Sequence, residues 1–172
     1  MHRNVTRRGL RAAVLWMTLA AAACAEPDLT VPTADQAREV YANPDVEVTV
    51  RGNVVELRVP QPREQLRRGG TLWAKVGPYI FLFSEATESL FDDYPGLAGV
   101  RVITTAGNDG PEVARAFMER DDMNDILWNR AKVIAGRARL EGSKRPSLVE
   151  ELIRWGEDHT DFEYNPRYVS SR

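Results

Sequence analysis

The sequence predicts an α+β fold, a four-stranded antiparallel sheet covered on one face by helices in the order α-β-β-α-β-β-α-α. Three observations carry this expectation. In residues 72–94, LWAKVGPYIFLFSEATESLFDDY, the side chains of Trp73, Val76, Ile80, Phe83, Thr87, Leu90 and Tyr94 recur at alternating steps of three and four. That spacing stacks them along one face of a helix. Residues 46–59 alternate with period two, and Val100 to Thr105 is a run rich in β-branched residues, both of which suit strands. After residue 120 the helical period returns twice, each time between capping and turn residues.

Taken in order, Thr33-Ala34-Asp35-Gln36 has the form of a capping box and starts a short helix running to about Tyr41. Asn43-Pro44-Asp45 stops it. Val46, Val48 and Val50 alternate with Glu47 and Thr49, and Val54 to Val59 follow across Arg51-Gly52-Asn53. This pattern reads as a hairpin whose oily face seats the 72–94 helix. Pro60, Pro62 and Gly69-Gly70 separate the two, with 63–68 open to an early helical start. Gly77-Pro78 lies inside the apolar stripe. Because the three-and-four spacing continues across it, one helix kinked at the proline is expected. The alternative makes 72–76 a third strand and begins the helix at Pro78.

Asp92-Asp93-Tyr94-Pro95-Gly96 ends that helix. Val100 to Thr105 is then a strand, residues 106–111 a turn-rich link, and Val113 to Phe117 its antiparallel partner. Asp121 or Asp122 is expected to cap a helix with Met123, Leu127, Ile134 and Ala138 on one side and Trp128 flanking them. Arg130, Lys132, Arg137 and Arg139 cover much of its remainder, as a solvated face or as a surface for an acidic partner. Gly142 closes it, and Ser147-Leu148-Val149-Glu150 opens a last helix buried through Leu148, Leu152 and Trp155. From Gly156 onward the tail is polar and aromatic without a clear period.

The N-terminus has a different character. Arg3, Arg7, Arg8 and Arg11 precede AAVLWMTLAAAA and Cys24, giving a basic region, a short apolar region and small residues before a cleavage point. Twelve uncharged residues fall short of the roughly 20 that span a bilayer. Ala21-Ala22-Ala23-Cys24 resembles the lipobox of bacterial lipoproteins, departing from it in having Ala where Leu is commonest. The resemblance implies removal of residues 1–23, lipidation of Cys24 and a membrane anchor on the periplasmic side of the envelope. Ala25 after the cysteine implies sorting to the outer membrane in a diderm cell. Ordinary signal cleavage and secretion is the alternative. Thr6-Arg7-Arg8-Gly9-Leu10-Arg11 also looks like a twin-arginine export signal. Residues 24–32, with two prolines and no periodicity, then read as a tether, and 33–172 as one domain.

Cleavage after Ala23 leaves 149 of the 172 residues, removing four of 23 basic residues and none of 25 acidic ones. The balance becomes 19 against 25, a formal charge of −6 that repels nucleic acid. With Cys24 lipidated, no thiol is left for a disulfide or a nucleophile.

Motifs for catalysis are sparse. Gly69-Gly70 and Gly107-Asn108-Asp109-Gly110 lack the context of a phosphate loop, and no serine lies in a Gly-x-Ser-x-Gly turn. The densest cluster is Glu157, Asp158, His159, Asp161 and Glu163, whose oxygen and nitrogen ligands suit a divalent cation. It lacks EF-hand spacing, and a solvated acidic segment accounts for it equally. Asp92-Asp93 is an acid/base candidate of the same kind, against a solvated helix end. Tyr79, Leu82, Phe83 and Phe91 make the 72–94 helix apolar on more than one side, which fits full burial or a surface for a small apolar ligand, an envelope protein or a second copy. The combined expectation is an envelope-anchored module that binds or supports without catalysis. The competing one is a metal-dependent hydrolase built around His159.

Overall fold

In the computed structural model, which describes residues 28–170, the capping box at Thr33 forms as its sequence requires. Thr33 Oγ1 accepts from the Gln36 backbone N–H at 3.2 Å, and Gln36 Oε1 accepts from the Thr33 N–H at 2.8 Å. They open α1 (Ala34–Tyr41). The hairpin follows as β1 (Glu47–Arg51) and β2 (Val54–Gln61), turned by Gly52 at a φ of 63° that only glycine adopts without strain. The chain continues through α2 (Arg63–Leu82), α3 (Glu85–Asp93), β3 (Gly99–Ala106), β4 (Glu112–Glu119) and a single 3-10 turn (Arg120–Asp122). It ends in α4 (Asp125–Glu141), α5 (Pro146–His159), β5 (Asp161–Tyr164) and α6 (Pro166–Val169).

The class is α+β as expected, but the sheet has five strands in the order β1-β2-β3-β4-β5 and is mixed. β2 and β3 run parallel, Val55 beside Val100 and Leu57 beside Val102, while the other pairs are antiparallel. A parallel pair needs a long crossover, and α2 with α3 provides it. The alternation within each hairpin constrains neighbours inside the hairpin and leaves the join between hairpins open, which is why an all-antiparallel sheet was expected. β3 is central, and its buried run from Val102 to Ala106 is the mark of such a strand. The fifth strand comes from the tail, where Asp161, Phe162, Glu163 and Tyr164 alternate across an edge.

The apolar stripe is helical on both sides of a break at Phe83 and Ser84, including 72–76, so it is two helices instead of one kinked at Pro78. Pro78 is accommodated inside α2, and the break falls after Leu82. There Ser84 is extended and its Oγ accepts from the Thr87 N–H at 3.3 Å, capping α3. Gly70, at φ 57° and ψ −145°, divides α2 near its start. Two other starts differ from expectation. Asn124 caps α4, accepting from Ile126 and Leu127 N–H at 3.1 and 3.0 Å, because Asp121 and Asp122 are used in the 3-10 turn. Pro146 begins α5, where its fixed φ suits the first helical position, so Ser147 lies inside the helix.

Valines and leucines of β1 to β3 with Ala116 and Met118 of β4 face α2, and α3, α4 and α5 close the same core. The opposite sheet face carries the alternate residues, in cross-strand rows Thr49, Glu56, Arg101, Phe117, Asp161 and Glu47, Arg58, Ile103, Arg115, Glu163. The loop between α3 and β3 is fastened by Arg120. Its guanidinium donates to the carbonyls of Leu97 at 2.7 Å, Phe91 at 2.6 Å and Tyr94, and lies over the Phe91 ring. Of the segment read as a tether, Thr30 accepts from Gly96 N–H at 2.9 Å and Pro32 is buried, so these residues dock onto the domain.

Candidate functional site

The acidic tail does not converge. Helix α5 ends at His159, Thr160 turns extended, and the strand then sends alternate side chains to opposite faces, so neighbours in sequence diverge in space. Glu157 pairs with Lys75 at 3.2 Å, and Glu163 receives two hydrogen bonds from Arg115 at 2.6 and 3.1 Å. His159 stacks on Trp155 with ring centroids 4.1 Å apart, and its Nδ1 is 2.8 Å from the Trp155 carbonyl. Asp158, His159 and Asp161 border an open cleft with Glu119 and Asp122. Among the described residues no three His, Cys, Asp or Glu side chains come together as a metal-holding group. Asp92 and Asp93 are exposed at the end of α3. Cys24 lies outside the described residues.

Tyr79, Leu82, Phe83 and Phe91 are all buried in the main core. Tyr79 also anchors a polar knot. Its hydroxyl meets that of Tyr164 at 2.6 Å, and Lys75 Nζ lies 4.7 Å from the centre of the Tyr164 ring. Burial pushes the Tyr79 hydroxyl up to about 12 and raises Tyr164 as well, so both phenols keep their protons and neither is a phenolate base at neutral pH. The knot joins α2, α5 and β5 and is structural.

A different residue lies where ligand chemistry is possible. The alternation Val55, Leu57, Val59 continues inward to Gln61, which is 7% exposed. Its Nε2 donates to the Trp73 carbonyl at 3.1 Å, whereas its Oε1 is buried without a hydrogen-bond partner among the described residues. Gln61 belongs to the wall of a recess of about 210 Å³, with Val59, Trp73, Val76, Ile80 and Phe81 as its apolar lining. Gly77 makes the room: a Cβ there would come within 2.3 Å of Gln61 Nε2 and 2.9 Å of Thr104 Cγ2. Thr104 already donates its hydroxyl to the Ala114 carbonyl.

Asn43, Ile80 and Phe81 also wall a larger, more polar cavity of about 650 Å³ bordered by Tyr41, Ser84, Lys132 and Arg139. Four of the polar groups there are paired, while Glu85 is exposed at its edge. Tyr41 bonds Thr87 at 2.8 Å, Ser84 donates to the Phe81 carbonyl at 2.7 Å, Lys132 pairs with Glu88, and Arg139 donates to the Ile80 carbonyl at 2.9 Å. On the open sheet face Glu56 pairs with Arg51 and Arg101, and Arg115 with Glu112 and Glu163. Only one other buried side-chain group of the described residues lacks a partner, Trp155 Nε1, and Trp155 walls neither cavity. Gln61 is therefore a wall residue of the recess whose buried carbonyl oxygen is unmet among the described residues.

Comparison of the chain with protein-family models, curated proteins and solved structures gives no match.

The tyrosine knot gives a pH dependence with a definite sign. Below about pH 10 the folded and unfolded states both hold the Tyr79 proton, and between about pH 10 and 12 only the folded state keeps it. Stability should fall across that window, by at most about 3 kcal/mol from this group, as read by denaturant unfolding at fixed pH steps. In Tyr79→Phe the alkaline fall should be shallower, from a baseline lowered by about 1 kcal/mol because Tyr164 loses its partner.

Proposed function

We propose that the domain binds a small, mainly apolar molecule carrying one hydrogen-bond donor, and that it does so while anchored in the cell envelope through Cys24. The observation that supports binding is the Gln61 carbonyl, buried and unpartnered beside an apolar recess. Leaving such an acceptor unmet costs about 1–3 kcal/mol, which a ligand N–H or O–H recovers. The volume suffices, as an apolar cavity of about 150 Å³ accepts benzene. Asp45 is the only titratable side chain among the recess walls, and no nucleophile and base meet there, so binding is favoured over catalysis.

A ligand series tests this. With the Cys24→Ala chain, titrations of phenol and toluene followed by NMR should perturb Trp73, Val59 and Ile80. In Gln61→Leu the phenol-to-toluene affinity ratio should drop roughly tenfold, the equivalent of about 1.4 kcal/mol for one hydrogen bond. An unchanged ratio, or shifts confined to other parts of the domain, would contradict the assignment.

The address rests on Ala21-Ala22-Ala23-Cys24 and the basic, apolar segment before it. Six residue steps from Cys24 to the docked Thr30 reach at most about 20 Å, which would hold the domain near the bilayer surface. Intact mass of the membrane fraction from a bacterial host should show a diacylglycerol on the native chain. Cys24→Ala should lack it and leave the membrane; a soluble, unlipidated product from both chains would refute the anchor.

A further inference from the structure

We infer that the outward face of α4 is a docking surface for an acidic amphipathic helix of another protein. The helix has two apolar sides. One, with Trp128, Ala131, Ile134, Ala135 and Ala138, is buried in the core. The other consists of Ile126, Val133 and Leu140, which are 79%, 60% and 83% exposed. Their spacing of seven residues sets them in one row roughly 10 Å apart, spanning about 21 Å on the side away from the core. They are three of the five large apolar residues exposed among the described residues.

The residues around the row identify its occupant. With Ile126, Val133 and Leu140 at position a of a heptad, Arg130 and Arg137 fall at e, and Lys132 and Arg139 at g. Of the five flanking positions within α4 these four are basic, and the fifth, Asp125 at g in the first turn, is acidic. A second copy of α4 fits poorly: antiparallel pairing sets Arg130 and Arg137 against their own kind, and parallel pairing gains Asp125 against Arg130 only by setting Lys132 against Arg137. An anionic membrane is disfavoured by a row only one residue wide, too narrow to bury an apolar face in the headgroup boundary. A helix bearing Glu or Asp at its own flanking positions complements the surface instead. Lys132 already pairs with Glu88 and Arg139 bonds the Ile80 carbonyl, so Arg130 and Arg137 are the better placed pair for the partner. Arg130 lies over the Trp155 ring, and Arg137 has no ion pair among the described residues.

Gly136 adds an independent observation. It sits in the middle of α4 beside the row, and a Cβ there would touch nothing within 4 Å. Glycine costs about 1 kcal/mol against alanine inside a helix, and no internal contact requires it here. Its absent side chain lowers the ridge next to Val133 and lets a second backbone approach closely, as small residues do at helix crossings.

The test uses the full Cys24→Ala chain and two synthetic helices of about four heptads, both with Leu at a and d, one with Glu and one with Lys at e and g. Fluorescence anisotropy at about 0.15 M salt should show the Glu peptide binding at least roughly tenfold more tightly than the Lys peptide. The double change Arg130→Glu with Arg137→Glu should invert that order. Val133→Asp, at an exposed position and with its thermal unfolding checked, should abolish binding of the Glu peptide. Equal binding of the two peptides, or none, would overturn the proposal. So would concentration-dependent dimerisation of the chain that Val133→Asp removes, which would assign the face to a second copy. Val133-dependent binding to phosphatidylglycerol vesicles without peptide discrimination would assign it to the membrane and equally reject a protein partner.

Discussion

Tyr79 is the point on which the two layers are registered. Its ring lies against Gly156 of α5 so closely that a Cβ on that glycine would come within 2.3 Å, and its hydroxyl meets Tyr164 on the edge strand. One side chain thus ties the crossover helix α2 to α5 and to the last strand, elements about 80 residues apart in sequence. A bulky, fully buried aromatic ring against a bare helix backbone leaves little freedom in how α2 lies on the sheet. Because α2 also supplies Trp73, Val76, Gly77 and Ile80, the same contact determines the shape of the recess beside Gln61.

Gly77-Pro78, an awkward pair for a helix, makes sense in that setting. Glycine admits the Gln61 amide against the helix, and the amide donates to the carbonyl of Trp73 one turn earlier. Proline lies on the buried side with no N–H to satisfy. The helix is weakened where the sheet presses a polar side chain into it. Within this local compromise one end of the amide is satisfied and the other is left without a partner among the described residues.

How much of this was legible in the sequence depends on the range of the interaction involved. The Thr33 capping box, the hairpin of β1 and β2, the β3–β4 pair and the burial of Leu148, Leu152 and Trp155 follow from residues close together in the chain, and the structure contains them. The parallel joining of β2 to β3 depends on where a crossover of two helices returns the chain, which no local period encodes. β5 is four residues long, and its acidic alternation also fits a solvated tail, so the carboxylates of that segment looked like a ligand cluster until the strand separated them. The break at Ser84 was hidden because the three-and-four spacing of Phe83 and Thr87 survives a change of helix. Gln61 carried a usable signal, a polar residue in phase with the inward Val55, Leu57 and Val59, but the prolines on either side of it suggested that the strand had already ended.

Recess and ridge are distinct surfaces of one scaffold, a largely apolar recess with an unmet acceptor in its wall and an exposed aliphatic row edged mainly with positive charge. Of the two, the recess is the central assignment. A crystal of the Cys24→Ala chain soaked with phenol tests it most directly. The phenol oxygen should lie about 2.7–3.2 Å from Gln61 Oε1, with the ring between Trp73 and Phe81. A recess that stays empty or takes up only water, with phenol bound elsewhere or not at all, would contradict the account.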